Sequence, residues 1–152
     1  MFTEESVRAM YPTPSWCTDE GADYFDGASD YTPIIDAIGE VVVRVDDRDY
    51  QGDTRLLLRR GDKYAITTFG WGSCSGCDAL QACSSWEQLV NLANGLVPSE
   101  ETWKSLPEIR EWVATHDWKG DYGWHSEGQQ EFIDKVCVAL EVPLLARIAE
   151  DA

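Results

Sequence analysis

Positive charge is what this sequence lacks most. Twelve Lys and Arg stand against 28 Asp and Glu, a formal net charge of −16 over 152 residues. A sequence-independent grip on nucleic-acid phosphate needs clustered Lys and Arg, so direct nucleic-acid binding is not expected. Long apolar runs are missing too. The opening residues, MFTEESVRAMYP, carry two acids before any base and no apolar core of the kind a signal peptide needs. Nothing approaches the ~20 apolar residues of a spanning helix, so the expected compartment is the cytoplasm, with no membrane partner. Histidine occurs twice, and the five cysteines (Cys17, Cys74, Cys77, Cys83 and Cys137) are an odd number in a chain long enough to bury its own core. That count argues for reduced thiols rather than a secreted disulfide framework. Also absent are a Gly-rich phosphate loop, a Gly-x-Ser-x-Gly elbow and a His-Glu-x-x-His pair. No catalytic residue, metal or cofactor is therefore assigned.

What remains is the composition of a folded globular protein, with 43% hydrophobic residues and 26% charged. The expected fold class is α+β: one domain over 1–152, built as a three-stranded antiparallel meander packed against four or five helices. An acidic N-terminal region covers 1–38, the sheet 39–71, a Cys/Gly loop 72–83 and a helical half 84–152. Charge is uneven along it. Residues 1–53 hold 13 acids and 3 bases, whereas residues 54–152 hold 15 and 9, so the first third is the acidic pole.

Residues 4–10 suit a short helix that Pro12 and Pro14 stop. Thr32 and Pro33 open another, over 33–38, ended by Gly39. Val41, Val43 and Val45 alternate with Val42, Arg44 and Asp46, the period of a strand. TRLLLRR and KYAITTFGW flank Gly61-Asp62, a two-residue hairpin turn. The same turn accounts for the Arg60-Gly61-Asp62 tripeptide without invoking cell adhesion. The connections leave no room for helical crossovers, so the meander is expected to have one face covered by helices. Three capping boxes follow: Ser84 with Glu87 for a helix over 85–94 stopped by Asn94-Gly95, Ser105 with Glu108 beside Pro107, and Ser126 with Gln129 for a helix over 127–140. Ile109, Trp112, Val113 and His116 share one face of the second helix. In the third, Phe132, Val136, Ala139 and Leu140 are spaced for burial, and LLARIA after Pro143 adds a final turn.

The most unusual stretch is GSCSGCD, where Gly72, Cys74, Gly76, Cys77 and Asp78 join the sheet to the helices. Cys-x-x-Cys spacing is shared by zinc and redox sites. Zinc needs two more ligands, and Cys17, Cys83, Cys137, His116 and His125 offer no second paired spacing. A redox pair expects a βαβ setting rather than a meander. The remaining reading is a structural corner with inward-packed thiols. HDWKGDYGWH, residues 116–125, reads as an aromatic-stapled loop in which a histidine has no partner nucleophile. The acidic stretch 19–30 lacks the ligand spacing of an EF-hand, so calcium is not expected. Its Asp19, Glu20, Asp23, Tyr24, Phe25 and Asp26, with Trp118 and Trp124, are the candidates for a partner surface, and Trp16 is a further loop tryptophan. Tryptophan buries large area at interfaces while keeping a polar handle.

FGWGSCSGCDALQAC, followed by a capped helix, HDWKGDY and the EFIDKV helix, resembles a family of small acidic phage and prophage proteins of unassigned function. The resemblance covers about residues 50–138, with GSCSGCDALQA as its specific part. It implies a phage product acting in a bacterial host's cytoplasm, and no mechanism. The leading expectation is a non-enzymatic protein that binds a host or defence protein with a basic surface, in its sharpest form by DNA-like acidic mimicry. Two alternatives stand beside it: a thiol or zinc protein using Cys74 and Cys77, and a small-molecule sponge whose pocket is made by the glycine-rich loop and the loop tryptophans.

Overall fold

Three of the described α-helices start where a side chain satisfies an orphan amide. In the computed structural model, which describes residues 1–14, 16, 28–49, 51–72, 78–121 and 127–143, Thr3 and Ser6 exchange capping-box hydrogen bonds to open α1 (Glu4–Met10). Its C-cap is Tyr11, immediately before Pro12. A 3₁₀ turn (Ala28–Tyr31) leads into α2 (Thr32–Ile38), with Pro33 in the first turn and Gly39 as C-cap. Three strands follow, β1 (Glu40–Asp46), β2 (Gly52–Arg60) and β3 (Lys63–Trp71). Arg60 pairs with Lys63 across the two-residue turn. Gly61 takes a φ of 64°, the positive value that a tight hairpin requires and glycine supplies without strain.

The helical half differs from expectation at its first cap. Ser85, not Ser84, is the N-cap of α3 (Trp86–Leu96), accepting from the amide of Gln88, while the Gln88 side chain reaches back to the amide of Ser84. Nor does Asn94-Gly95 stop the helix. The Asn94 amide is occupied elsewhere, pairing with both backbone groups of Phe2 (2.7 and 3.1 Å) and so tying the N-terminus to α3. Ser105 and Glu108 form the expected capping box of α4 (Leu106–Thr115). There the Ser105 hydroxyl and amide lower the Glu108 carboxyl below its usual range. The last described helix is α5 (Glu127–Leu140); Ser126 and LLARIA lie outside the described residues.

Among the described residues the sheet has four strands rather than three. Lys104–Ser105 forms β4, which pairs antiparallel with Tyr64 and Lys63, giving the order β1-β2-β3-β4. Two residues carry no periodicity, which is why the sequence reading missed them.

Both faces of the sheet are covered, where one was expected. Leu56, Leu58 and Ala65 join one core with α1, α2 and α3, whereas Val43, Val45 and Leu57 join a second with α4 and α5. The run Thr54–Leu58 is buried throughout, the signature of a strand with no solvent face. A bulge between Val41 and Val43 then alters β1: Val41 pairs with Leu58 and Val43 with Leu57. Val41 therefore faces the first core while Val43 and Val45 face the second, and Val42 is left exposed. Ala139, expected inside, is exposed, and Ile133 and Cys137 fill that side of α5 instead.

The double-sided packing gives a direct expectation. Leu56→Ala and Leu57→Ala point to opposite faces, and each will cost about 2–5 kcal/mol in urea unfolding. A sheet open on one face would make one of the two nearly neutral.

Candidate functional site

The site is built around a cation inside the sheet. Arg55 lies on β2 with its side chain 2% exposed, and an isolated guanidinium there would carry a large desolvation cost. The β1–β2 connection supplies the answer. Asp47 accepts from Arg55 Nη1 at 2.6 Å, and Asp53 Oδ2 lies 3.7 Å from Nη2. The Asp47 carboxylate is held in turn by the chain, and the two residues are tied together through their backbones. The Asp47 amide donates to the Asp53 carbonyl, and the Asp53 amide donates to Asp47 Oδ2 at 2.8 Å. Gly128, in the first turn of α5, completes the fit, because a Cβ there would press on Asp47 Oδ1 and lie 2.7 Å from Arg55 Nη1.

A second polar set ties the other face. The Thr54 hydroxyl accepts from Trp71 Nε1 (2.9 Å) and donates to Asp46, which also accepts from Arg44 Nε. Arg44 continues to the Thr32 hydroxyl and the Ala28 carbonyl, anchoring α2 to the end of the sheet.

Two concavities flank Arg55. One is a cleft of about 630 Å³ between the β1–β2 connection and α5, lined by Asp46, Asp47, Asp49, Glu127 and Glu131 together with one base, Arg48. Arg48 is 83% exposed and pairs with Glu131 at 3.1 Å, a contact worth little in water. The other is a pocket of about 360 Å³ between the β2–β3 hairpin and the α4–α5 pair, with Arg55 and Asp53 on one side and Trp112, His116 and Asp121 on the other. His116 Nε2 lies 2.9 Å from both carboxylate oxygens of Asp121, and its ring stacks on Trp112 at 4.2 Å.

Trp118 corrects the sequence reading. Expected on a partner surface, it is buried, donating from Nε1 to the Val113 carbonyl and meeting Trp112 and His116 edge-on. The turn Trp118–Gly120, closed by Asp117, folds it inward. Trp16 is half-buried against Trp86. Asp19, Glu20, Asp23, Tyr24, Phe25, Asp26 and Trp124 lie outside the described residues. So do Cys74, Gly76 and Cys77, but the two ends of their loop are placed. Asp78 is buried and accepts from the Tyr31 hydroxyl (2.8 Å) and from the amides of Gly72 and Gln81, while Gln81 Nε2 donates to the Gly72 carbonyl. Burial, then the Asp78 charge, raises the Cys83 thiol and keeps it protonated. Among the described residues no group of three or more His, Cys, Asp or Glu is placed to hold a metal ion, and no helix is long and apolar enough to cross a membrane.

No family model, curated protein or solved structure matches the chain. The site therefore rests on its geometry. Arg55 itself escaped the sequence reading, although a charge inside the otherwise apolar run TRLLL was a signal that a buried partner must exist.

Two outcomes follow. Gly128→Ala will lower stability, although alanine is the better helix former by about 1 kcal/mol, because the methyl group must displace the Asp47–Arg55 pair; a gain in thermal midpoint would refute that packing. Tyr31 is pushed well above its ordinary value by burial and by its bond to Asp78, and Tyr11 by burial and the Asp30 charge. Both favour the neutral form in the fold, so their contribution is intact below the unfolded value near 10 and is lost as pH rises above it. Urea titrations between pH 8 and 11 will show stability falling above pH 10, with a shallower fall in Tyr11→Phe/Tyr31→Phe.

Proposed function

We propose that the protein is a non-enzymatic binding protein whose acidic surface docks onto a basic surface of a protein partner. The observation that carries this reading is the cleft beside Arg55, lined by five acidic residues and one base in a chain of net charge −16, with Asp49 and Glu127 exposed. Such a surface attracts a complementary partner over a distance set by salt screening and repels like-charged ones. Fixed carboxylates spaced along a rigid edge present what a nucleic-acid-binding protein meets on a phosphate backbone, and DNA-like mimicry is the sharpest form of the proposal. The resemblance to acidic phage and prophage proteins supplies the setting: a host or defence protein in a bacterial cytoplasm.

The cleft suits docking because its inner edge is braced. Asp47 is fixed by Arg55 and the Asp53 amide, while on the other face of the sheet Arg44 and Thr54 hold Asp46 and with it the strand end that carries the cleft. Asp49 and Glu127 are exposed at its rim. A preorganised charged surface loses less ordering entropy on binding than flexible side chains do.

The test is capture from host lysate at low and high salt, repeated with Asp49→Lys/Glu127→Lys. The expected result is a partner retained at about 50 mM salt, released by roughly 500 mM, where the Debye length has shrunk to a few ångströms, and lost in the charge-reversed variant. A partner indifferent to both salt and charge reversal would overturn the proposal.

A further inference from the structure

We propose that the pocket between the β2–β3 hairpin and α4–α5 is a binding site for an uncharged planar heteroaromatic molecule of nucleobase or nucleoside size. This goes beyond the acidic docking surface and does not depend on it.

Size sets the first limit. A volume of about 360 Å³ is at the small end of the range for ligand pockets, enough for one ring system with a short substituent. The walls set the second. Trp112 is half-buried and Trp118 and Phe132 buried, all three lining the pocket, so an inserted ring meets aromatic surface. Stacking on aromatic side chains combined with hydrogen bonds to ring edges is the way proteins hold an unpaired base.

Charge selects among flat molecules. Each carboxylate of the pocket already faces a nitrogen, with Asp53 Oδ2 3.7 Å from Arg55 Nη2 and Asp121 2.9 Å from His116 Nε2. A cationic guest would face Arg55, and an anionic guest would face Asp53 and Asp121 within a protein of net charge −16. An uncharged guest meets neither penalty. It also finds both kinds of hydrogen-bond partner, with carboxylate acceptors on Asp53 and Asp121 and the hydroxyl of Thr68, which lies opposite Arg55 on β3. The Asp53 and Asp121 side chains are 26% and 35% exposed, open enough to receive a ligand edge.

Positioning comes from behind the wall. Arg55 holds Asp53, and the stack of Trp112 on His116 sets the ring that Asp121 binds. Arg55 and His116 are accordingly positioning residues, and Trp112, Asp53 and Asp121 touch the ligand.

Isothermal titration of the intact protein tests this with the four common nucleosides and their free bases, against the matching 5′-monophosphates and the cation agmatine. The expected result is saturable one-to-one binding of at least one uncharged compound with a Kd of roughly 100 μM or tighter, and at least tenfold weaker binding of its monophosphate. Trp112→Leu is expected to lower affinity at least tenfold with an unchanged circular dichroism spectrum. Should that variant misfold, Thr68→Arg, on an exposed strand position that lines the pocket, blocks it from outside the core with the same loss. No binding by any uncharged compound, equal binding of a monophosphate or agmatine, or undiminished binding by the folded variants would overturn the proposal.

Discussion

A guanidinium buried beneath one end of a sheet must be matched by carboxylates, and the local architecture follows from how that match is made. Arg55 requires Asp47 and Asp53 to converge on it, which fixes the β1–β2 connection as a closed turn linked by the Asp47 and Asp53 amides. It also requires that α5 begin with almost no side chain beside it, which Gly128 provides. Several kcal/mol of desolvation would stand against the fold if either carboxylate were missing. With both present, Asp47 lines the acidic cleft on one side, and Arg55 and Asp53 line the aromatic-walled pocket on the other.

One strand serves the two faces. On β2 the residues Arg55 and Leu57 belong to the side covered by α4 and α5, and Leu56 and Leu58 to the side covered by α1, α2 and α3. Thr54 begins the second series, where its hydroxyl joins Trp71, Asp46 and Arg44 into a chain that reaches α2. Polar bonds thus anchor the end of the sheet near the β1–β2 connection on both faces, while leucines fill its middle. Asp78 performs the corresponding task where β3 gives way to the helical half, gathering Tyr31, Gly72 and Gln81 at a single buried carboxylate. Such sharing satisfies buried polar groups and limits the alternatives open to the backbone.

Local chemistry made much of the fold legible. The Gly61-Asp62 hairpin, the helix stopped before Pro12, the Pro33 helix and the Ser105–Glu108 box are each decided by a few adjacent residues, and each is observed. What local pattern hides is competition from afar. Asn94 looks like a helix stop until its amide is found to bind Phe2. The alternation of Val41, Val43 and Val45 looks regular until the register with β2 inserts a bulge. Three leucines in a row were the available signal for a sheet covered twice. Trp118 reads as a loop residue, yet a short turn closed by Asp117 puts it in the core. The site was less legible still, because Asp47, Arg55 and Gly128 meet only through the tertiary fold and no short motif contains them.

A double-mutant cycle across Arg55 and Asp47 tests the central claim most directly, with stability measured by urea unfolding of the wild type, Arg55→Met, Asp47→Asn and the double variant. The pair organises this end of the sheet if removing one partner makes the other nearly dispensable, with a coupling of about 2 kcal/mol or more. Additive losses, with coupling below about 0.5 kcal/mol, would contradict it and leave Arg55 as a buried cation supported by other groups.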